Sequence, residues 1–411
     1  MNMKKILSVA IASAMVVGVV PVAASAEEGV TITYWSMWSE GESQAIAIQE
    51  IIDDYEEATG VTVNVEWKGR DITTLIAASL DAGETIDLYE DDFQRLSQTF
   101  GDYALDLTEM AEAVDYSSLS NEALTSAVTG WADGSLACLP YQPYISGIFY
   151  NKAIFDEVGV EEPTTWEEFL EVCQAIKDAG YTPLTLDDAY INLNLGYHLA
   201  RYLGQDGVKE VVNNGDWAEN EAVLKMAEDM QALVDNGYLS EYAPGAYPEG
   251  ENEVGYGETA MVVNASWVPA EIEGNTDSDL EWGMFSYPAV DGGVDGTEAM
   301  MVGAQGISVS ANSEHAQEAF DLALAIVSGD GDAAISVATD SIPADPNNTE
   351  WPELLANCKA AFDAATTSYE WDCGIDDNAD MKETIQEAGA QLFSGSITAQ
   401  EFVDKLEEAS N

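Results

Sequence analysis

Positive charge is what this sequence has least of. Its 411 residues carry 13 Lys+Arg against 76 Asp+Glu, a net charge of −63 at neutral pH. Nucleic-acid binding needs a basic face that displaces counterions from phosphates, and docking on anionic lipid needs the same face, so neither is expected. His198 and His315 are the only histidines, too few for a histidine-rich metal centre. The four cysteines, Cys138, Cys173, Cys358 and Cys373, show no C-x-x-C spacing, so a zinc or dithiol redox site is not expected either. The Walker phosphate loop, a G-x-G-x-x-G after a strand and the G-x-S-x-G nucleophile turn are all missing. Asp330-Gly331-Asp332 opens like a calcium loop, but its twelfth position is Ser341 and not Glu. Asn264-Ala265-Ser266 matches a glycosylation sequon, a short pattern that chance often supplies. No metal and no cofactor are expected.

Apolar residues, by contrast, are plentiful. They make up 46% of the chain, with 10 Trp, 18 Tyr and 10 Phe, which a disordered acidic chain lacks. The negative charge therefore coats a well-stocked core and keeps the protein soluble. At roughly 100–200 residues per domain, the length suggests two or three domains.

The first segment reads as an export signal. Lys4 and Lys5 precede the uncharged apolar run Ile6 to Val20, and Ala24-Ser25-Ala26 offers a cleavage point before Glu27. The run is short for a transmembrane helix, although a membrane anchor is the alternative. Loss of the two lysines takes the net charge from −63 to −65. No lipid-attachment Cys flanks the cleavage point, so the mature chain is expected in the periplasm or outside the cell, soluble or peripheral to the envelope. Export permits disulfides. Cys358 with Cys373 is the most local pair, and four buried free thiols are the alternative.

Strand and helix patterns alternate from Val30 onward. Val30, Ile32 and Tyr34 have strand spacing, and Ser39 with Glu42 forms an S-x-x-E cap. Ala45, Ile48, Ile51, Ile52 and Tyr55 follow at helical spacing until Gly60, and Val61 to Trp67 reads as the next strand. Ile86 to Tyr89 is a third strand that should run out into the acidic turn Glu90-Asp91-Asp92. Further strands are expected at Ile145 to Tyr150, Thr259 to Val263 and Gly306 to Ser310. Thr165 and Glu168 cap another helix, Ile191 to Leu239 is helical with breaks at Gly204 and Gly215, and Thr398 with Glu401 caps the last helix. Such units favour a parallel sheet with right-handed crossovers, hence an α/β fold.

Several stretches recur together in one known family. They are Ile32-Thr33-Tyr34-Trp35-Ser36-Met37-Trp38, Thr59-Gly60-Val61-Thr62-Val63, Leu139-Pro140-Tyr141, and Gly147-Ile148-Phe149-Tyr150-Asn151-Lys152 with Pro163-Thr164-Thr165-Trp166-Glu167-Glu168-Phe169. Ala260-Met261-Val262-Val263-Asn264-Ala265-Ser266-Trp267 and Ile342-Pro343-Ala344 complete the set. In their order and spacing, from residue 30 to the end, the chain resembles the extracellular solute-binding proteins of ABC importers, in the carbohydrate-binding group that includes maltose-binding protein. The missing lipid-attachment Cys departs from Gram-positive members. The resemblance implies two α/β lobes of the type II periplasmic-binding-protein fold, with ligand in the cleft between them. It places one lobe at 27–140 plus 295–343 and the other at 141–294 plus 344–411, with hinge crossings near Cys138–Ser146, Tyr287–Met301 and Ile342–Pro346. It implies a monomer that binds a mono- or oligosaccharide, hands it to permease subunits and catalyses nothing. An exported carbohydrate-active enzyme, a receptor for a non-sugar solute and a lobe that signals to a sensor are the alternatives.

A pyranose offers apolar C–H faces and a rim of hydroxyls, so its site needs aromatic rings and planar hydrogen-bonding groups. Trp38 and Glu40 follow the first strand, where α/β sheets place ligands. Trp67 ends the second, with Lys68 and Arg70 beside it. Arg70 can donate two hydrogen bonds to sugar hydroxyls or sit in a structural ion pair. Glu90, Asp91 and Asp92 either face the cleft or form a solvated turn. Trp267 is the candidate stacking residue of the second lobe, with core packing as its alternative. Tyr141 and Tyr144 sit at the first crossing, Asp188 and Asn192 in a polar loop, and Gly303 and Gln305 before the returning strand.

Overall fold

The computed structural model describes residues 29–410, and the expected export signal, residues 1–26, lies outside them. Nine strands run in chain order as β1 (Thr31–Ser36), β2 (Thr62–Trp67), β3 (Leu88–Asp92), β4 (Leu139–Asn151), β5 (Thr182–Thr185), β6 (Thr259–Ala265), β7 (Trp282–Phe285), β8 (Ala299–Val309) and β9 (Thr367–Tyr369). β1 pairs in parallel with β2 and β3, as strand–helix–strand units require. β8 then runs antiparallel to β3 and β4 and parallel to β9, and β4 runs antiparallel to β6, which joins this half to β5.

Local chemistry accounts for the helices. Helix Ser43–Thr59 buries Ala45, Ile48, Ile52 and Tyr55 on one face and ends where Gly60 takes a left-handed φ of 76°. Helix Trp166–Ala179 has the full capping box, Thr165 bonding the Glu168 amide and Glu168 the Thr165 amide. The expected Ser39–Glu42 cap is different. Glu42 does accept from the Ser39 amide, but the helix begins at Ser43, and the same carboxylate also binds Arg70.

The apolar side chains gather in two cores. The first takes residues from β1, β2, β3 and helix Ala316–Val327; the second takes those of helices Trp166–Ala179, Ile191–Asn214, Glu221–Asp235 and Ala399–Ser410. Alternate residues of β4 and β6 serve both: Phe149 and Val262 face the first, Ile148 and Met261 the second. All four cysteines are buried and free, which corrects the expected Cys358–Cys373 pair. Cys358 belongs to the first core and Cys373 to the second, so closeness in sequence brought them no contact.

Strands β4 and β8 carry the chain between the halves. Leu139 to Ile145 of β4 pair with β8, and Ser146 to Asn151 pair with β6 and β7, with a register break between Tyr141 and Tyr144. A third connection stays with the first half past the expected Ile342–Pro346: Asn347 donates to Ser118 O at 2.8 Å, Asn121 donates to Phe362 O at 3.2 Å, and Leu355, Cys358, Phe362 and Ala365 pack in the first core. Among the described residues no single helix is long and apolar enough to cross a membrane.

Candidate functional site

The acidic run Glu90-Asp91-Asp92 is not a turn after β3 but its C-terminal half. It pairs with Ile307, Gly306 and Gln305 of β8, and this pairing buries Glu90 and Asp91. Glu90 accepts from Tyr34 Oη at 2.6 Å and from Tyr141 Oη, while Trp38 Nε1 donates to Tyr141 Oη at 2.7 Å. Burial pushes the Glu90 carboxyl up against the pull of those hydroxyls. Trp38, Tyr141 and Glu90 are thus brought together, but as a buried network of the first lobe. Asp91 takes the Arg95 guanidinium, and Asp92 caps helix Phe93–Gln98 through the Arg95 amide at 3.0 Å.

Arg70 adopts its structural role. Its guanidinium lies 4.5 Å above the Trp38 ring, donates to Met37 O and pairs with Glu42 at 2.9 Å. Lys68 similarly covers Trp35 at 3.8 Å and pairs with Glu66. Trp67 packs half-buried on the first core, and Glu40 is exposed in the loop after β1.

The second lobe supplies an aromatic wall. Trp267, just past β6, is half-buried and lies nearly parallel to Trp371, with ring centroids 5.8 Å apart. Tyr144 of β4 leans on Trp267 at 5.3 Å and on Trp371 at 6.5 Å. Tyr190 extends the row, 6.5 Å from Trp371 and 6.3 Å from Tyr247, and its hydroxyl accepts from Trp267 Nε1 at 3.4 Å. Tyr144 and Trp371 line a cavity of about 290 Å³ together with Asp92, Arg95, Gly303 and Glu370. Residues from both halves thus share one recess beside the β4–β8 crossing. Glu370 spans it, accepting from Gln98 Nε2 at 3.1 Å and pairing with Lys209 at 2.6 Å.

The remaining candidates divide. Gly303 lies in β8 opposite Tyr144, where a Cβ would come within 1.9 Å of the tyrosine ring, so its neighbour is that ring. Gln305 pairs across to Asp92 and Tyr141, within β8 and not ahead of it, and its Oε1 is buried without a hydrogen-bond partner among the described residues. Asp188 is exposed and accepts from the Tyr247 amide at 3.2 Å, at the far end of the aromatic row. Asn192 is turned from the recess into a buried bond to Asp376 at 2.7 Å. Trp371, Tyr190, Arg95 and Glu370 were not singled out by sequence. The alternation Tyr369-Glu370-Trp371-Asp372 was the one visible hint of aromatic and acidic groups meeting there.

Behind Tyr190 lies a buried carboxyl cluster. Asp187 accepts from the Gly250 and Glu251 amides, and Glu251 accepts from Asn264 Nδ2 at 2.9 Å. Burial, then the nearby Glu271 and Asp187 charges, push Glu251 up to about 8; burial chiefly pushes Asp187 up to about 6. Among the described residues no group of three or more metal-ligating side chains has the arrangement to hold a metal ion.

The family model of bacterial extracellular solute-binding proteins matches residues 50–361. The multiple sugar-binding protein of Streptococcus mutans serotype c is 29% identical over 194 residues, which span 44% of this chain and 44% of that relative, under half of its length. Among solved structures, ligand-free RafE from Streptococcus pneumoniae superposes with a TM-score of 0.73 at 20% identity, covering 94% of this chain and 98% of that one. RafE in complex with raffinose gives 0.63 at 20% identity, covering 93% and 99%.

Proposed function

This chain belongs to the family of bacterial extracellular solute-binding proteins, and from that membership we propose that it is the carbohydrate receptor of an ABC importer. It binds a mono- or oligosaccharide between its lobes, closes over it and delivers it to the permease, without chemistry of its own. The observation that carries the sugar assignment is the aromatic cluster of Tyr144, Trp267 and Trp371, of which Tyr144 and Trp371 line a recess shared by both halves. Indole and phenol faces match the C–H faces of a pyranose, and Asp92, Arg95 and Glu370 beside them suit its hydroxyls. The multiple sugar-binding protein and raffinose-bound RafE, by their names, bind the same class of ligand.

Closure follows from contacts that only the closed state offers. The antiparallel pair β4–β8, broken in register at Tyr141 to Tyr144, is the hinge on this reading. The protein is exported, its signal removed after Ala26, and acts as a soluble monomer in the periplasm or outside the cell.

Calorimetric titration of the mature protein against a panel of mono- and oligosaccharides tests the assignment, with a peptide and a polyamine as controls. Saturable heat with at least one sugar and none with the controls is expected. Silence with every sugar and binding of a control would overturn the ligand class. Release of reducing ends from the panel would mark an enzyme instead.

A further inference from the structure

Trp371 reaches the recess on a backbone that seldom occurs outside glycine. Asp372 and Cys373 both have φ of 54°, and Gly374 follows at 86°. Two successive side-chain-bearing residues in the left-handed region persist only where their surroundings dictate them.

The surroundings here are the two halves of helix Ile191–Asn214, which is broken at Gly204. Asn192 bonds Asp376 at 2.7 Å, Gln205 accepts the Glu370 amide, Lys209 pairs with Glu370 at 2.6 Å, and Asn213 bonds Asp377 at 2.5 Å. Residues 369 to 377 thus lie along the helix, fastened on both sides of Trp371. On the first half, Gly196 faces this segment without a side chain. A Cβ on Gly196 would come within 2.0 Å of the Asp372 carbonyl oxygen and 3.1 Å of Ile375. That contact is with backbone, so rotamer change cannot relieve it.

We propose that Gly196 is a positioning residue for the ligand cleft: its bare backbone admits the left-handed turn at Asp372, and the turn sets the Trp371 ring against Trp267. Gly196 touches no ligand and acts through Trp371. The proposal rests on the cleft reading above, but its first test needs no ligand. Two indoles stacked at this separation couple their transitions and give a paired band in circular dichroism. The Trp371→Ala variant defines that signal as its difference from the parent protein. Gly196→Ala is expected to lose the same signal while keeping helix content, and the double variant to lose nothing more. Should Gly196→Ala fail to fold, Gln205→Ala with Lys209→Met releases Glu370 from the helix at half-buried positions and is expected to weaken the signal. A folded variant of either kind with the full parental signal overturns the proposal. Sugar titration of the same variants then separates the two readings. Loss of the paired band with unchanged sugar affinity would leave the turn as the determinant of Trp371 but remove Trp371 from the site.

Discussion

Trp267 and Trp371 lie nearly parallel, at 22°, although one follows β6 and the other follows β9. Neither is part of a sealed core: Trp371 is 36% exposed and Trp267 half-buried. On the proposed function, the aromatic surface left open beside Asp92, Arg95 and Glu370 is where the sugar would stack.

Truncating either indole should therefore weaken binding. Trp267→Ala or Trp371→Ala is expected to cost sugar affinity about 1–3 kcal/mol through lost stacking and burial. Calorimetry checks this. An unchanged Kd for either variant would take that residue out of the site.

Gly303→Ala is expected to destabilise the protein by about 1–3 kcal/mol, because the new methyl would meet the Tyr144 ring. Thermal melting reads the loss, and Tyr144→Ala in the same chain should recover part of it. An unaltered melting temperature in the single variant would show that the two strands part more easily than their packing implies.

The carboxyl cluster predicts an unusual pH profile. Glu251 is raised to about 8 and Asp187 to about 6, so between their unfolded values near 4 and these folded values the native state holds more protons than the unfolded chain. Stability then falls as pH rises through that window. Urea midpoints should drop from pH 5 to pH 8 in the parent and drop less in Glu251→Gln. Equal slopes in the two proteins would remove Glu251 as the cause.

All four thiols are buried, and burial pushes Cys138 and Cys358 up to about 12. A thiol reagent should find none of them in the native protein and all four after denaturation. Fewer than four under denaturation would reveal a disulfide.

The net charge of −63 makes like-charge repulsion a standing cost of compactness. Added salt at moderate concentration should raise the melting temperature by screening it. Equal stability in low and high salt would mean the charges are spaced widely enough not to matter.

Local chemistry was legible in the sequence, and contacts between distant segments were not. The Thr165–Glu168 capping box, the Gly60 helix end and the break at Gly204 depend on residues a few positions apart. Glu90 and Asp91 read as a turn, either facing the cleft or solvated, because nothing near them announces that β8, more than two hundred residues later, will cover them. Asn192 looked like a cleft residue, but its partner Asp376 is supplied by the last segment of the chain. Trp371 escaped notice for the same reason, since the segment around it is fastened by residues of a broken helix far upstream. Of the candidates near the recess, Trp267 and Asp92 stand at strand ends, where α/β sheets expose their functional edge, whereas Gly303 was expected ahead of a strand and lies in the middle of β8.

The central claim is that one carbohydrate occupies the recess against Trp267 and Trp371. Native mass spectrometry of the mature protein with a mixture of neutral mono- and oligosaccharides tests it in one measurement. The expected result is a complex of one protein with one sugar that disappears in Trp371→Ala. No sugar adduct in the parent protein, or an adduct that survives undiminished in the variant, would contradict it.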